Sequence, residues 1–204
     1  MRMRGWACII GVGVSCVALA DKVIDVPTGR SLPKGTFELS YLGATNQSDS
    51  WDRFLAFAPL KGLEFDVRQR MRPGENGHAT VDFAYNLISP VASVAPGISV
   101  GVLDMMGETL DGRRTYIAFS FRELLQVGER GAYGEATMGV QFGTTNTGFV
   151  GVTLPLSENF RLLVEHNGYR ISSGFELEPV KGFRGRVVTQ EGTLLFGLNF
   201  LHRF

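Results

Sequence analysis

"LLFGLNFLHRF", Leu194 to Phe204, closes a chain of 204 residues. Phe196, Leu198, Phe200, His202 and Phe204 share one phase of this stretch; Leu195, Gly197, Asn199, Leu201 and Arg203 share the other. A period of two is the mark of a β-strand, whose successive side chains point to opposite faces. The chain thus ends on a strand with one oily face and a bare terminal phenylalanine.

The opposite end carries a different signal. "MRMRGWACIIGVGVSCVALA" begins with Arg2 and Arg4, continues as an apolar run from Trp6, and reaches Ala18-Leu19-Ala20. A basic start, a short apolar middle and a small-x-small site are the layout of a secretory signal peptide, and the run is short for a transmembrane helix. The expected organisation is a signal peptide over 1–20, cleaved after Ala20, and one domain over 21–204. A lipoprotein reading at Cys16 is the alternative, without the leucine usual three residues earlier. Cys8 and Cys16 both leave with the signal, so the remaining chain has no disulfide or thiol chemistry. Removing Arg2 and Arg4 leaves 18 bases against 20 acids, a net charge of −2. That balance does not point to nucleic acid.

Period-two alternation recurs between closely spaced turn signals. It predicts twelve strands, over 36–44, 51–58, 63–72, 78–87, 97–105, 114–122, 132–143, 147–155, 160–167, 170–178, 183–190 and 193–204. The phase of 51–58 is ambiguous, because "DRFLAFA" is apolar on both faces. "APLKGLEFDV" (58–67) resembles "EPVKGFRGRV" (178–187), and "LPLSENFRLL" (154–163) is a looser copy. Proline is expected to stop each incoming strand and preset the turn. With twelve strands these turns share one rim with both termini, as in an even-stranded barrel with short turns on that side. The expected fold is an all-β, closed, antiparallel up-and-down transmembrane barrel.

Two barrels fit such a pattern: a soluble one with apolar residues inside, and a membrane one with them outside. The polar phase carries Glu38, Glu64, Asp66, Asp82, Glu135, Glu165, Glu176 and Glu178 against Arg68, Arg70, Arg122, Arg161, Arg184, Arg186 and Arg203. Every base in this phase is arginine. The four lysines, Lys22, Lys34, Lys61 and Lys181, lie outside the predicted strands. A confined lumen favours arginine, whose planar fork pairs with carboxylates. Glycines in the same phase, among them Gly101, Gly139, Gly151, Gly174 and Gly197, would give room to arginines and Tyr116. The charges therefore belong inside, as lumen ion pairs that largely block the bore. Phe196, Leu198, Phe200 and Phe204 face outward and resemble the terminal signal by which bacterial barrels are recognised for assembly. The implied surroundings are outer-membrane lipid and the barrel-assembly machinery.

The stretch "ISPVASVAPGISVGVLDMMGETLDGRRTYIAFSF", Ile88 to Phe121, resembles the YjbH-like family of outer-membrane β-barrel proteins. The resemblance rests on Pro90, Pro96, Val100, Gly101, Asp104, Gly107, Tyr116, Ala118 and Ser120. A second stretch, from Leu162, matches at Glu165, Gly168 and Gly174 and departs at His166 and Asn167. The resemblance spans 54–204. It implies a role in exopolysaccharide production or export, with export components as partners.

Two rival functions remain open. A small porin would use the mixed lumen charges for selectivity. A lipid hydrolase would need a histidine beside a serine and a carboxylate. His166 is the best-placed histidine, yet Glu165 and Asn167 flank it along a strand and so face the other way. Val164 and Gly168 stand where a serine would be needed. Neither metal ligands nor a cofactor motif stand out, and the expectation is a non-enzymatic protein.

Overall fold

The structure, a computed structural model, describes residues 22–45, 50–71, 77–109, 111–127 and 131–204. The expected signal segment and its Ala18 and Ala20 lie outside the described residues. Twelve strands follow in chain order: β1 (Thr36–Ala44), β2 (Trp51–Leu60), β3 (Leu63–Met71), β4 (His78–Ile88), β5 (Gly97–Leu103), β6 (Arg114–Leu125), β7 (Ala132–Phe142), β8 (Thr147–Pro155), β9 (Phe160–His166), β10 (Ile171–Val180), β11 (Phe183–Gln190) and β12 (Thr193–Arg203). Each pairs antiparallel with its sequence neighbours, and β1 pairs with β12, so the sheet closes as an up-and-down barrel. Closure pairs the backbone groups that an edge strand would leave exposed.

The seam explains the ending of the chain. Register runs from Thr36↔Arg203 to Ala44↔Leu195, and the Phe204 N–H donates to the Gly35 carbonyl at 2.9 Å. On the outer face Phe37, Phe200, His202 and Phe204 form one aromatic group, with Phe37 and Phe204 centroids 5.5 Å apart.

Both PxKG-like repeats build the same corner, but proline does not stop the strand. β2 runs on through Pro59 to Leu60 and β10 through Pro179 to Val180, two residues beyond the expected ends at Ala58 and Glu178. Register slips at each place, between Phe57 and Leu60 and between Leu177 and Val180. Proline has no N–H to give the ladder, and a bulge is where that lack is tolerated. The following glycines, Gly62 and Gly182, take φ of 81° and 82°. Their carbonyls accept from Asn86 and Leu201, each at 2.7 Å, so a Cβ there would also press on the neighbouring strand.

The wall is polar on its inner face and apolar on its outer one. Glu38, Glu64, Asp66, Asp82, Glu135, Glu165, Glu176 and Arg184 are buried, while Leu39, Leu55, Phe65, Val67, Phe121, Phe175, Phe196 and Phe200 are exposed on the barrel exterior. In β2 the ambiguity resolves: Asp52, Phe54, Ala56 and Ala58 face inward, and Arg53, Leu55 and Phe57 outward. The outer wall still makes specific contacts, such as the edge-on pair Phe65–Phe83 at 5.3 Å.

Phe204 is 82% exposed whereas Phe83 is half-buried in mid-strand. In detergent, Phe83→Ala is expected to lower the thermal unfolding midpoint, with a loss of stability smaller than the about 3–5 kcal/mol of a core Phe→Ala change. Phe204→Ala should leave the midpoint near that of the parent. Heat-dependent gel mobility or circular dichroism reads both.

Candidate functional site

The lumen is filled by the chain itself. Residues 22–33, which show no strand periodicity, lie in the bore and run in chain order down it to the rim that holds both chain ends of the barrel (the terminal rim), where β1 begins. They turn back at a bridge between Lys22 and Pro27. Lys22, Val23, Ile24, Val26, Thr28 and Leu32 are buried. Lys22 is expected outside the strands. It is, but its ammonium sits in the bore, 2.7 Å from Asp66 and 3.1 Å from Asp82.

The wall residues divide by what they hold. Glu165, 2% exposed, accepts the backbone N–H groups of Ile24, Asp25 and Val26 at 2.9–3.0 Å. Glu64 accepts the Leu32 N–H at 2.7 Å. Arg68 and Arg70 both donate to the Asp25 carboxylate, at 2.9 and 2.7 Å, and Arg70 also binds Asp52. Arg30 donates to Glu135 at 3.0 Å, and Arg122 lies 3.7 Å from the same carboxylate and over the Tyr133 ring. These contacts draw on wall residues expected in the bore, but most of their partners are plug residues, which carry no period of their own.

A second group pairs within the wall. Arg161, Glu176 and Arg186 lie side by side on β9, β10 and β11. Arg161 and Arg186 donate to separate oxygens of Glu176, at 2.9 and 2.6 Å. Arg184, 1% exposed, lies 3.5 Å from Glu178. Near the seam Asn199 donates to Glu38.

Small residues mark the plug's path. Glu165 has Gly151 and Ser172 as cross-strand neighbours, and Glu64 has Ala84. A Cβ on Gly151 would press on Val23. Gly29 passes so close to Gly97 that a side chain on either would meet the other's backbone. Val26 packs with Ala84, Tyr116 and Phe149; Val23 and Ile24 pack with Leu163, Val188 and Leu195. The signal for this path was therefore present, as acids flanked across the sheet by small residues, but it becomes readable only once register is known.

The four residues of the family-like motif meet at the β5–β6 corner. Gly101 faces Tyr116 across the ladder, and a Cβ at Gly101 would strike the Tyr116 ring. Asp104 (φ 51°) and Gly107 (φ 72°) shape the loop. Burial alone would raise the Asp104 carboxyl. The Thr109 hydroxyl and the N–H groups of Thr109 and Glu108 outweigh it, holding Asp104 below the ordinary carboxylate range. Its own N–H donates to Asp82 at 2.8 Å, which links this loop to Lys22.

Above the plug, at the opposite rim (the loop rim), a cup of about 610 Å³ remains, with Lys22 and Asp25 in its floor and His78, Arg114, Gln141 and Tyr169 in its walls. His166 is outside it, exposed on the wall, and accepts the Gly168 N–H at 3.3 Å, while Glu165 points into the bore. His202 belongs to the seam aromatics. Among the described residues no three metal-ligating side chains converge.

The geometry defines a class: a closed twelve-stranded barrel with charges inside, an apolar exterior and a plug formed by its own chain. Compared with known proteins, the chain matches no family model, and no curated protein matches it in sequence.

Replacing Glu165 by Ala strips two buried N–H groups and one part-buried one of their acceptor, at about 1–3 kcal/mol for each buried group left unsatisfied. Hydrogen exchange followed by mass spectrometry should show faster exchange over residues 22–33, with the β6–β8 ladders unchanged.

Proposed function

We propose that the protein is a non-enzymatic outer-membrane barrel, delivered by a signal peptide cleaved after Ala20, with a lumen closed to free passage. The single observation that carries this reading is the polarity of the wall. A lipid-spanning barrel needs an apolar outer face and satisfied polar groups inside, and a sheet buried on its charged side and exposed on its apolar side has that arrangement. The terminal Phe196, Leu198, Phe200 and Phe204 then serve barrel assembly. The closed lumen rests on the plug, which occupies the bore with ion pairs on several sides. The outward position of His166 and the inward one of Glu165 speak for a non-enzymatic role. A part in exopolysaccharide production or export, with export components as partners, rests on the resemblance at Gly101, Asp104, Gly107 and Tyr116. The porin reading keeps one supporting observation, the polar cup at the loop rim.

Cell fractionation should place the protein in the outer membrane, with Asp21 as the first residue; recovery from the soluble periplasm would overturn the reading. In planar bilayers the purified protein should pass little steady current, and deletion of residues 22–31 should open stable conductance steps. Large steps from the undeleted protein would favour the porin. A strain lacking the protein should release less surface polysaccharide; an unchanged amount would remove the export role.

A further inference from the structure

The outward face of the strands is almost free of charge. Among its described positions Arg53 is the only lysine or arginine; Arg203, at the terminal rim, belongs to the inward phase. A cation on an apolar wall is costly unless something compensates it. What surrounds Arg53 is aromatic: its guanidinium lies 4.3 Å from the Trp51 ring centroid and 5.7 Å from that of Tyr41. Among the described residues no carboxylate stands within ion-pairing distance of it. The two rings hold the guanidinium on the outer face.

The ladder shows what lies beside it. Tyr41, Arg53 and Gln69 form one outward row across β1, β2 and β3. Arg53 is two residues from the start of β2, so this row is near the loop rim. The next row toward the terminal rim is unbroken apolar: Phe183, Phe200, Leu39, Leu55 and Val67. Between them is a groove of about 420 Å³, within the range of about 300–1,000 Å³ usual for ligand clefts. Gly185, with open space where its Cβ would stand, keeps the wall low on the β11 side.

We propose that this groove is a lipid site, in which one acyl chain lies along the Phe183–Val67 row and the lipid's phosphate rests on Arg53. The inference builds on the membrane reading above. Charge complementarity selects the occupant. The groove offers a long apolar floor, one cation at a single end, and polar Tyr41 and Gln69 beside that cation. A lipid that carries an anionic phosphate at the head of its acyl chains, from the leaflet at the loop rim, has the matching sequence of parts. A guanidinium binds phosphate through paired N–H donors, and Tyr and Trp at the same level suit the interface between headgroup and hydrocarbon. Neutral lipid would leave the cation without its counterion.

Native mass spectrometry of the full protein tests this, with phosphatidylglycerol and diacylglycerol of equal chain length as probes. One phosphatidylglycerol per barrel should survive release from the micelle, and diacylglycerol should not. Arg53→Gln should cut retention about fivefold, the effect of losing one basic side chain at a lipid surface. Leu55→Trp fills the groove without touching the charge and should also lower it. Heat-dependent gel mobility confirms that each variant is a closed barrel. Equal retention of phosphatidylglycerol by Arg53→Gln would overturn the site. A protein that enters vesicles yet holds both probes equally would overturn the site and leave the membrane reading standing; failure to enter vesicles at all would remove both.

Discussion

A carboxylate enclosed in a barrel must be met by donors, because the water that would otherwise solvate it has been excluded. An unpaired buried charge costs several kcal/mol, and this bore holds many. Glu165 shows the constraint most plainly. Its neighbours across the sheet are the small residues Gly151 and Ser172. Its proton donors are three consecutive backbone N–H groups of the plug. Wall and plug thus complete each other. The plug's backbone, passing through a bore, needs acceptors as much as the wall's carboxylates need donors.

Two systems of pairing follow from this one requirement. Arg161, Glu176 and Arg186 satisfy each other along a ladder row, so they also secure the register of β9, β10 and β11. Slipping one strand by a residue would turn its charges into the apolar face. Lys22, Asp25 and Arg30 instead bind across the bore to Asp66, Asp82, Arg68, Arg70 and Glu135. These contacts fix the plug without fixing register. Asp82 joins the plug to the β5–β6 loop, since it holds Lys22 on one oxygen and the Asp104 N–H on the other. The cup above the plug therefore rests on a floor tied to its own rim.

The outer face obeys a simpler rule. It needs no internal partners, only surroundings that tolerate hydrocarbon, and its aromatic residues gather where strands meet, as at the β1–β12 seam. Among its described positions Arg53 is the one lysine or arginine. Its environment of rings rather than carboxylates sets it apart from the arginines of the bore.

Strand number, order and face were legible in the residues, because alternation with period two is a local property and each strand carries its own copy of it. "LEFDVRQR" and "TVDFAYNL" show which side chains share a face without any knowledge of their neighbours. The glycine turns at Gly62 and Gly182 were legible for the same reason, although the bulges at Pro59 and Pro179 were not: a bulge is a mismatch between two strands, and one strand does not contain it. The plug was least legible. "KVIDVPTGRSL", Lys22 to Leu32, has no period, and its charges and apolar residues are unremarkable in themselves. Its place depends on acids brought together from β3, β4, β7 and β9 and on small residues aligned across ladders. Those positions become neighbours only when the sheet closes. By itself the sequence determined a barrel with its charges on one face; closure decided what those charges bind, because pairing inside a bore depends on distances between strands far apart in the chain.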